Sequence, residues 1–151
     1  MTIIKQSVAI IAPAEIVFNF HTNPQNLLKI TPSFIKVNLE SCTQAGLGQE
    51  IKLSIKSIGL PERKSYIRFF EYDFPFRLSD MQLQGPFKSM KQMREFVFDG
   101  RQTIMTDTFM YELPFGIIGR IADTLFFRRI TKKMFDYRQQ RTKELIENGD
   151  F

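Results

Sequence analysis

The stretch from Arg120 to Asn148, RIADTLFFRRITKKMFDYRQQRTKELIEN, contains neither glycine nor proline, and Gly149 follows it. A run of that kind predicts one long C-terminal helix, roughly 45 Å at ~1.5 Å per residue, enough to cross a whole small sheet. Ile118, Ala122, Phe126, Ile130, Met134, Tyr137 and Leu145 recur mostly at steps of three and four. That is the spacing of one docked helical face, and this face is expected to lie on a sheet.

The sheet is legible upstream. Ile51-Lys52-Leu53-Ser54-Ile55-Lys56 alternates apolar and polar residues, the period of a strand with one buried side. Comparable runs predict strands near 2–11, 33–43, 48–58, 63–72, 76–84, 88–98 and 102–113, parted by Gly, Pro or Asp. Between the first two, Pro13-Ala14-Glu15-Ile16-Val17-Phe18-Asn19-Phe20 sets a proline at a first helical turn. Pro24 opens a second short helix through Gln25-Asn26-Leu27-Leu28, ended by Pro32. Consecutive strands with short connections pair antiparallel, and one terminal helix must cover their apolar concave side. The expected fold is therefore α+β of the helix-grip kind: a curved seven-stranded antiparallel sheet wrapped around a long C-terminal helix, with two short helices after the first strand. One helix does not fill such a concavity, so an apolar cavity is expected inside. With 151 residues and no internal repeat or linker, residues 1–151 read as a single domain.

Composition narrows the chemistry. The chain has 16 Phe, 4 Tyr, 7 Met and no Trp, which supplies bulk and adaptable apolar surface with few polar handles. A lone Cys42 and a lone His21 build neither a disulfide nor an ordinary zinc site, and neither stands in a nucleophile motif. No glycine-rich phosphate loop occurs, because Gly46-Leu47-Gly48 has no helix after it, and no cofactor is implied. The opening residues lack a basic, then long apolar, signal pattern, and no apolar run reaches ~20 residues, so a soluble cytoplasmic protein is expected. Net charge is +5, of which Arg120 to Lys143 contribute +6 from eight cations against Asp123 and Asp136, leaving −1 for the rest. Such an excess is a solvated helix face or a weak contact for an anionic membrane, and no specific nucleic acid is expected.

Several stretches also resemble one superfamily. Ser7-Val8-Ala9-Ile10-Ile11-Ala12-Pro13-Ala14-Glu15-Ile16-Val17-Phe18 and Phe20-His21-Thr22-Asn23-Pro24-Gln25-Asn26-Leu27 resemble the opening of the START-related SRPBCC superfamily, which includes polyketide cyclase-like proteins. Asp80-Met81-Gln82-Leu83-Gln84-Gly85-Pro86-Phe87, Met105-Thr106-Asp107-Thr108, Leu113-Pro114-Phe115-Gly116 and Phe135-Asp136-Tyr137-Arg138 resemble its fifth strand, last strand, approach to the closing helix, and that helix's second half. The resemblance implies a helix-grip ligand-binding domain, in a superfamily that spans lipid carriers, cyclases, oxygenase domains and chaperone cofactors. Where that pattern often carries Trp and His on the sixth strand, this chain has Met90, Gln92 and Arg94. Neither Gln nor Arg serves as a base near neutral pH, so a cyclase activity is not inherited with the fold.

The hairpin around Asp99-Gly100 locates candidate site residues. A two-residue turn there would set Phe96 opposite Thr103, Arg94 opposite Met105 and Gln92 opposite Asp107. It puts Met90, Gln92, Arg94, Phe96, Met105, Asp107 and Phe109 on one face, and their apolar members mark that face as inward. Arg94 and Asp107 would then be diagonal neighbours that satisfy one another and orient a ligand's head group. Asp80 and Gln82 alternate on the neighbouring strand, with Met81 and Leu83 competing for the inner side. The reading that follows is a noncatalytic binder or carrier of a hydrophobic small molecule or lipid. Two alternatives stand beside it: a cyclase or dehydratase acting on a polyketide-like or aromatic substrate, with Asp107 as acid or base and Arg94 as enolate partner, and an adaptor using the basic final helix. Phe115, Ile117 and Ile118, set between Pro114 and Gly119, are expected to form an apolar cavity entrance beside the cationic helix, able to touch an anionic membrane.

Overall fold

A computed structural model describes residues 1–57 and 61–151. Seven antiparallel strands form one sheet in the order β1-β7-β6-β5-β4-β3-β2. They are β1 (Thr2–Ile10), β2 (Ile35–Cys42), β3 (Glu50–Ser57), β4 (Arg63–Asp73), β5 (Arg77–Gln84), β6 (Ser89–Phe98) and β7 (Thr103–Glu112). The expected strands all form, with ends displaced by one or two residues; Ile58, the last residue expected of the third, lies outside the described residues. Helices α1 (Ala14–Thr22) and α2 (Pro24–Lys29) link β1 to β2 at the opposite edge of the sheet. Asn23 caps α2 by accepting from the Gln25 N–H at 3.0 Å, and Pro24 starts it.

The sheet's inner face is clearest on β7, where Thr103, Met105, Asp107, Phe109 and Tyr111 are all buried and the residues between them are not. The register across β6 and β7 differs from the expectation by two residues. Arg94 stands directly opposite Asp107, Gln92 opposite Phe109, and Phe96 opposite Met105. The cause is a four-residue loop, Asp99 to Gln102, in place of a two-residue turn. The Asp99 carboxylate accepts from the N–H groups of Arg101 at 3.0 Å and Gln102 at 2.9 Å, while the Asp99 N–H donates to the Gln102 carbonyl at 3.0 Å. Aspartate can close such a loop with its own side chain, a competitor to the Asp-Gly turn. A shift of two preserves parity, so the same residues share the inner face.

The C-terminal helix extends from Gly116 to Glu147 in three pieces: α3 (Gly116–Ala122), a π-helical turn (Asp123–Phe127) and α4 (Arg128–Glu147). Its docked face is not the expected one. Ile118, Phe126, Ile130 and Tyr137 are exposed, whereas Gly119, Asp123, Thr131, Phe135, Gln139, Thr142, Leu145 and Ile146 are buried. From Gly119 to Phe135 the inward positions fall one residue after the expected ones, a rotation of about 100°. Three contacts impose it. A Cβ on Gly119 would lie 2.1 Å from the Pro114 carbonyl oxygen, so only glycine fits there. Asp123 accepts from Tyr111 Oη, from Thr2 Oγ1 at 2.6 Å and from Arg128 Nη2 at 3.1 Å. Burial alone would raise the Asp123 carboxyl, but these three donors hold it below its usual range. Farther along, Gln139 bonds the sheet directly. The π turn inserts the extra residue that keeps inward positions four apart in phase.

The core has two parts. Ile10, Val17, Phe18, Phe20, Phe69, Leu78, Phe96, Met105, Leu145 and Ile146 belong to the larger cluster. Ile4, Phe109, Tyr111 and Phe135 form the smaller, with Phe87, Met90 and Phe127 packed on it.

A polar layer between the two core clusters

Four elements carry residues of both clusters, and on three of them the inward-facing residues between are polar or charged. On β7, Asp107 separates Met105 from Phe109; on β6, Gln92 and Arg94 separate Met90 from Phe96; on α4, Arg138, Gln139 and Thr142 separate Phe135 from Leu145. On β1, Gln6 stands between Ile4 and Ile10 and opposite Asp107. Asp80 extends the layer onto β5, two residues after Leu78 and opposite Gln92. The interior is thus cut by a polar layer lying against Asp107.

Asp107 is its hub. Its Oδ1 accepts from Arg94 Nε at 2.8 Å and from Gln92 Nε2 at 3.2 Å, and its Oδ2 accepts from Gln139 Nε2 at 2.9 Å. The side chains of Arg94 and Asp107 are only 12% and 6% exposed, so the pair is removed from water. Gln139 Nε2 also reaches the Gln6 carbonyl at 3.0 Å, which ties helix to sheet across the interior.

Two charged groups in the layer are not satisfied in this way. Asp80 is buried, and among the described residues none donates a hydrogen bond to its carboxyl. Burial pushes its pKa up from the usual 3.8 to about 6, more than the Arg94 and Arg138 charges pull it down; Asp107 adds to the rise. Arg138 reaches inward from α4 with its Nε enclosed and unpartnered. Burial, then the like charge of Arg94, lowers its pKa to about 10, against the pull of Asp107 and Asp80. His21 closes the layer on the side of the larger cluster, its Nε2 3.0 Å from Met105 Sδ and its ring near Phe96. Burial, then the charges of Arg94 and Arg138, depress its pKa well below 6.5, so this imidazole is neutral. The chemistry available here is a guanidinium with a free donor beside a carboxyl that changes charge near pH 6.

The candidate residues read from sequence divide accordingly. Gln92, Arg94 and Asp107 meet in the layer, Phe96 and Met105 in the larger cluster, and Met90 and Phe109 in the smaller. Asp80 faces inward, whereas the Gln82 side chain holds the β5–β6 turn through the Phe87 backbone, donating to its carbonyl at 2.8 Å. Phe115, Ile117 and Ile118 stand 81%, 72% and 74% exposed at the start of α3. Arg138, Gln139, Gln6 and His21 were not among the candidates, and Asp80 was left without an assigned face. Arg138 and Gln139 follow Phe135 by three and four residues, so a correct helix face would have found them.

Two recesses open away from the polar layer. A recess of about 280 Å³ runs between α2 and β2, lined by Leu28, Thr31, Pro32, Ile35 and Val37 among others, and one of about 30 Å³ sits beside Tyr111, Gly116, Gly119 and Asp123. None of the seven wall residues lines either recess. The Gln139 bridge to Asp107 crosses from helix to sheet beside the residues expected to line a cavity. Among the described residues, no group of three or more His, Cys, Asp or Glu is placed to hold a metal, and no helix is long and apolar enough to cross a membrane.

No protein family and no curated protein matches this sequence. Solved structures match its fold. A protein from Chromobacterium violaceum superposes with a TM-score of 0.78 at 13% identity, covering 97% of this chain and 99% of its own. One from Thermus thermophilus gives 0.73 at 16% identity, with 93% and 97% covered. Norcoclaurine synthase from Thalictrum flavum gives 0.70 at 12% identity, with 96% and 86% covered. The shared architecture is the helix-grip fold, a curved antiparallel sheet around a long C-terminal helix.

Proposed function

We propose that this chain is a cytoplasmic binder or carrier, of the START-related kind, for an apolar small molecule that ends in a carbonyl or carboxylate oxygen, with that oxygen seated at the polar layer. The supporting observation is the pairing of an enclosed, unpartnered Arg138 Nε with the unbonded Asp80 carboxyl, between two apolar clusters. A buried donor without a partner costs about 1–3 kcal/mol. A ligand oxygen supplies the missing acceptor to Arg138, and Asp80, on taking up a proton as the ligand binds, donates to the same oxygen. The apolar remainder of the ligand displaces contacts of Phe96, Met105, Phe109 and Phe135, with Gln139 swinging off Asp107 to make room. Native mass spectrometry of the purified protein, followed by solvent extraction, tests this. Expected is a copurifying apolar molecule that is retained by the wild type and lost from Arg138→Gln. A protein that is empty, and that also fails to enhance the fluorescence of anilinonaphthalene sulfonate, would rule the reading out.

One observation favours an enzymatic alternative. A buried carboxyl with a pKa of about 6 is matched to proton transfer near neutrality, and that group is Asp80 rather than the Asp107 first considered. In this reading Asp80 moves a proton to or from a ligand carbon or oxygen while Arg138 stabilises the oxyanion. Turnover of a bound ligand that disappears in Asp80→Asn, with binding intact, separates the enzyme from the carrier.

A further inference from the structure

The first half of the C-terminal helix docks largely by small and polar residues and presents its apolar side outward. Facing the sheet are Gly119, Asp123, Phe127 and Thr131 along its first half, and Phe135, Arg138, Gln139, Thr142, Leu145 and Ile146 beyond. Facing solvent are Ile117, Ile118, Ile121, Leu125, Phe126 and Ile130, each between 49% and 74% exposed, with Phe115 just before them at 81%. Scattered exposed apolar residues need no explanation, but a continuous stripe over four helical turns does. Ordinary helices bury that stripe.

The charges around the stripe identify what covers it. Arg120, Arg129, Lys132 and Lys133 are exposed, and among the described residues none of them makes an ion pair. The acids of the region do not balance them: Asp123 is buried and held by Tyr111, Thr2 and Arg128, and Asp136 accepts from Gln6. From Phe115 to Lys133 the outer surface is therefore apolar and cationic. A second copy of the chain, related by a two-fold axis, would bring these cations against one another. Anionic lipid accepts both components: the side chains of the stripe enter the acyl boundary and the four cations meet the headgroups.

The geometry points to this outer face of α3, the π turn and the first turns of α4 as a docking surface for an anionic membrane, binding parallel to its plane. It extends the three residues expected from sequence at an entrance, Phe115, Ile117 and Ile118, into a stripe about twice as long. The strained start of the stripe fits the same role. Phe115 has φ 72° and Gly116 φ 55°, so two successive left-handed residues hold the Phe115 ring out from the body, where it leads the insertion. This surface is independent of the polar layer, and an empty interior would leave it intact.

Co-sedimentation of the full chain with phosphatidylcholine vesicles, with and without phosphatidylglycerol, tests the assignment. Binding is expected only with phosphatidylglycerol, and it should weaken at least several-fold between ionic strengths of about 0.01 and 0.15 M as the Debye length falls from about 30 to 8 Å. Replacing Arg129 and Lys132 by Glu should lower the partition coefficient by about tenfold or more, since each near-surface cation contributes about 1 kcal/mol. Ile118→Ser with Phe126→Ser should abolish binding while the melting temperature stays within about 2 °C of wild type, the usual insensitivity of exposed sites. Equal binding to neutral vesicles, or none to anionic ones at low salt, overturns the assignment. So does a concentration-dependent dimer dissolved by the Ser pair, or salt-sensitive binding to duplex DNA in place of vesicles. Loss of cooperative melting in the Ser pair overturns it as well, because it would place these side chains in a packed interior.

Discussion

Replacing Asp107 by Ala removes the hub of the polar layer. Three donors lose their acceptor: Arg94 Nε, Gln92 Nε2 and Gln139 Nε2. The Arg94 charge, 12% exposed, is left without its partner, and breaking a buried pair from one side typically costs about 3–5 kcal/mol. Where the value falls in that range depends on Asp80, the nearest replacement anion. Above its pKa of about 6 Asp80 is already ionised and takes up part of the Arg94 field; below it, Asp80 must first lose a proton. The loss should therefore lie toward about 3 kcal/mol at pH 8 and toward about 5 kcal/mol at pH 5. For a chain of this length about 1 kcal/mol lowers the midpoint by roughly 2–4 °C, so a fall of about 6–20 °C is expected. Urea unfolding and thermal melts at both pH values measure it. Replacing Arg94 and Asp107 together by Leu should cost much less than the sum of the single changes, since no charge is stranded. A melting curve for Asp107→Ala within about 2 °C of wild type at both pH values refutes the buried layer.

Three further outcomes follow from the same geometry. Asp80 has a raised folded pKa, so its native form holds a proton that the unfolded chain has released between pH 3.8 and about 6; stability from this group is present below that window and lost as pH rises through it. Relative to Asp80→Asn, the wild type should lose roughly 2 kcal/mol from pH 4 to pH 7, and a flat difference in midpoint denaturant between the two proteins would contradict this. Gly119→Ala sets a methyl 2.1 Å from a backbone oxygen, so it should destabilise by about 1–3 kcal/mol in urea unfolding, against a stabilising change if this were an ordinary helical glycine. Tyr111→Phe takes one donor from buried Asp123 and should cost about 1–3 kcal/mol, with no change at all if the Oη faces water.

Most of the architecture was legible because its signals are local. Strand alternation, the glycine and proline stops and the 29-residue gap in them define the elements without reference to their partners. The inner face of β6 and β7 was also legible, since parity survives an error of two in the register. What was not legible depended on contacts between distant residues. The exact pairing of Arg94 rested on the Asp99 carboxylate closing a longer loop. The helix face rested on Tyr111, Thr2 and Pro114, none of which the periodicity of the helix reports. Arg138 and Gln139 were missed for the same reason: a hydrophobic pattern locates a buried face only where the face is hydrophobic.

The rotation of the helix links the two surfaces. Turned back by one residue, it would cover Ile118, Phe126 and Ile130 and uncover Phe127 and Phe135, a net gain of about one large side chain, worth about 1.5–3 kcal/mol when fully buried. The chain does not adopt that arrangement, so the contacts that oppose it must together exceed roughly 2 kcal/mol. Three such contacts are visible: the Gly119 approach to Pro114, the three donors on Asp123 and the Gln139 bridge to Asp107. Two of the three are buried polar networks, which specify one geometry more sharply than apolar packing does, because a half-satisfied network is costly. A sequence selected only for stability has no need of them, and local pattern and global fold normally agree. Here they disagree over one helix, and the disagreement leaves a polar layer inside and an apolar stripe outside. A carrier that takes up its ligand at a lipid surface, as proposed above, would use both: α4 would offer Arg138 to the ligand from one side while its N-terminal extension met the membrane with the other.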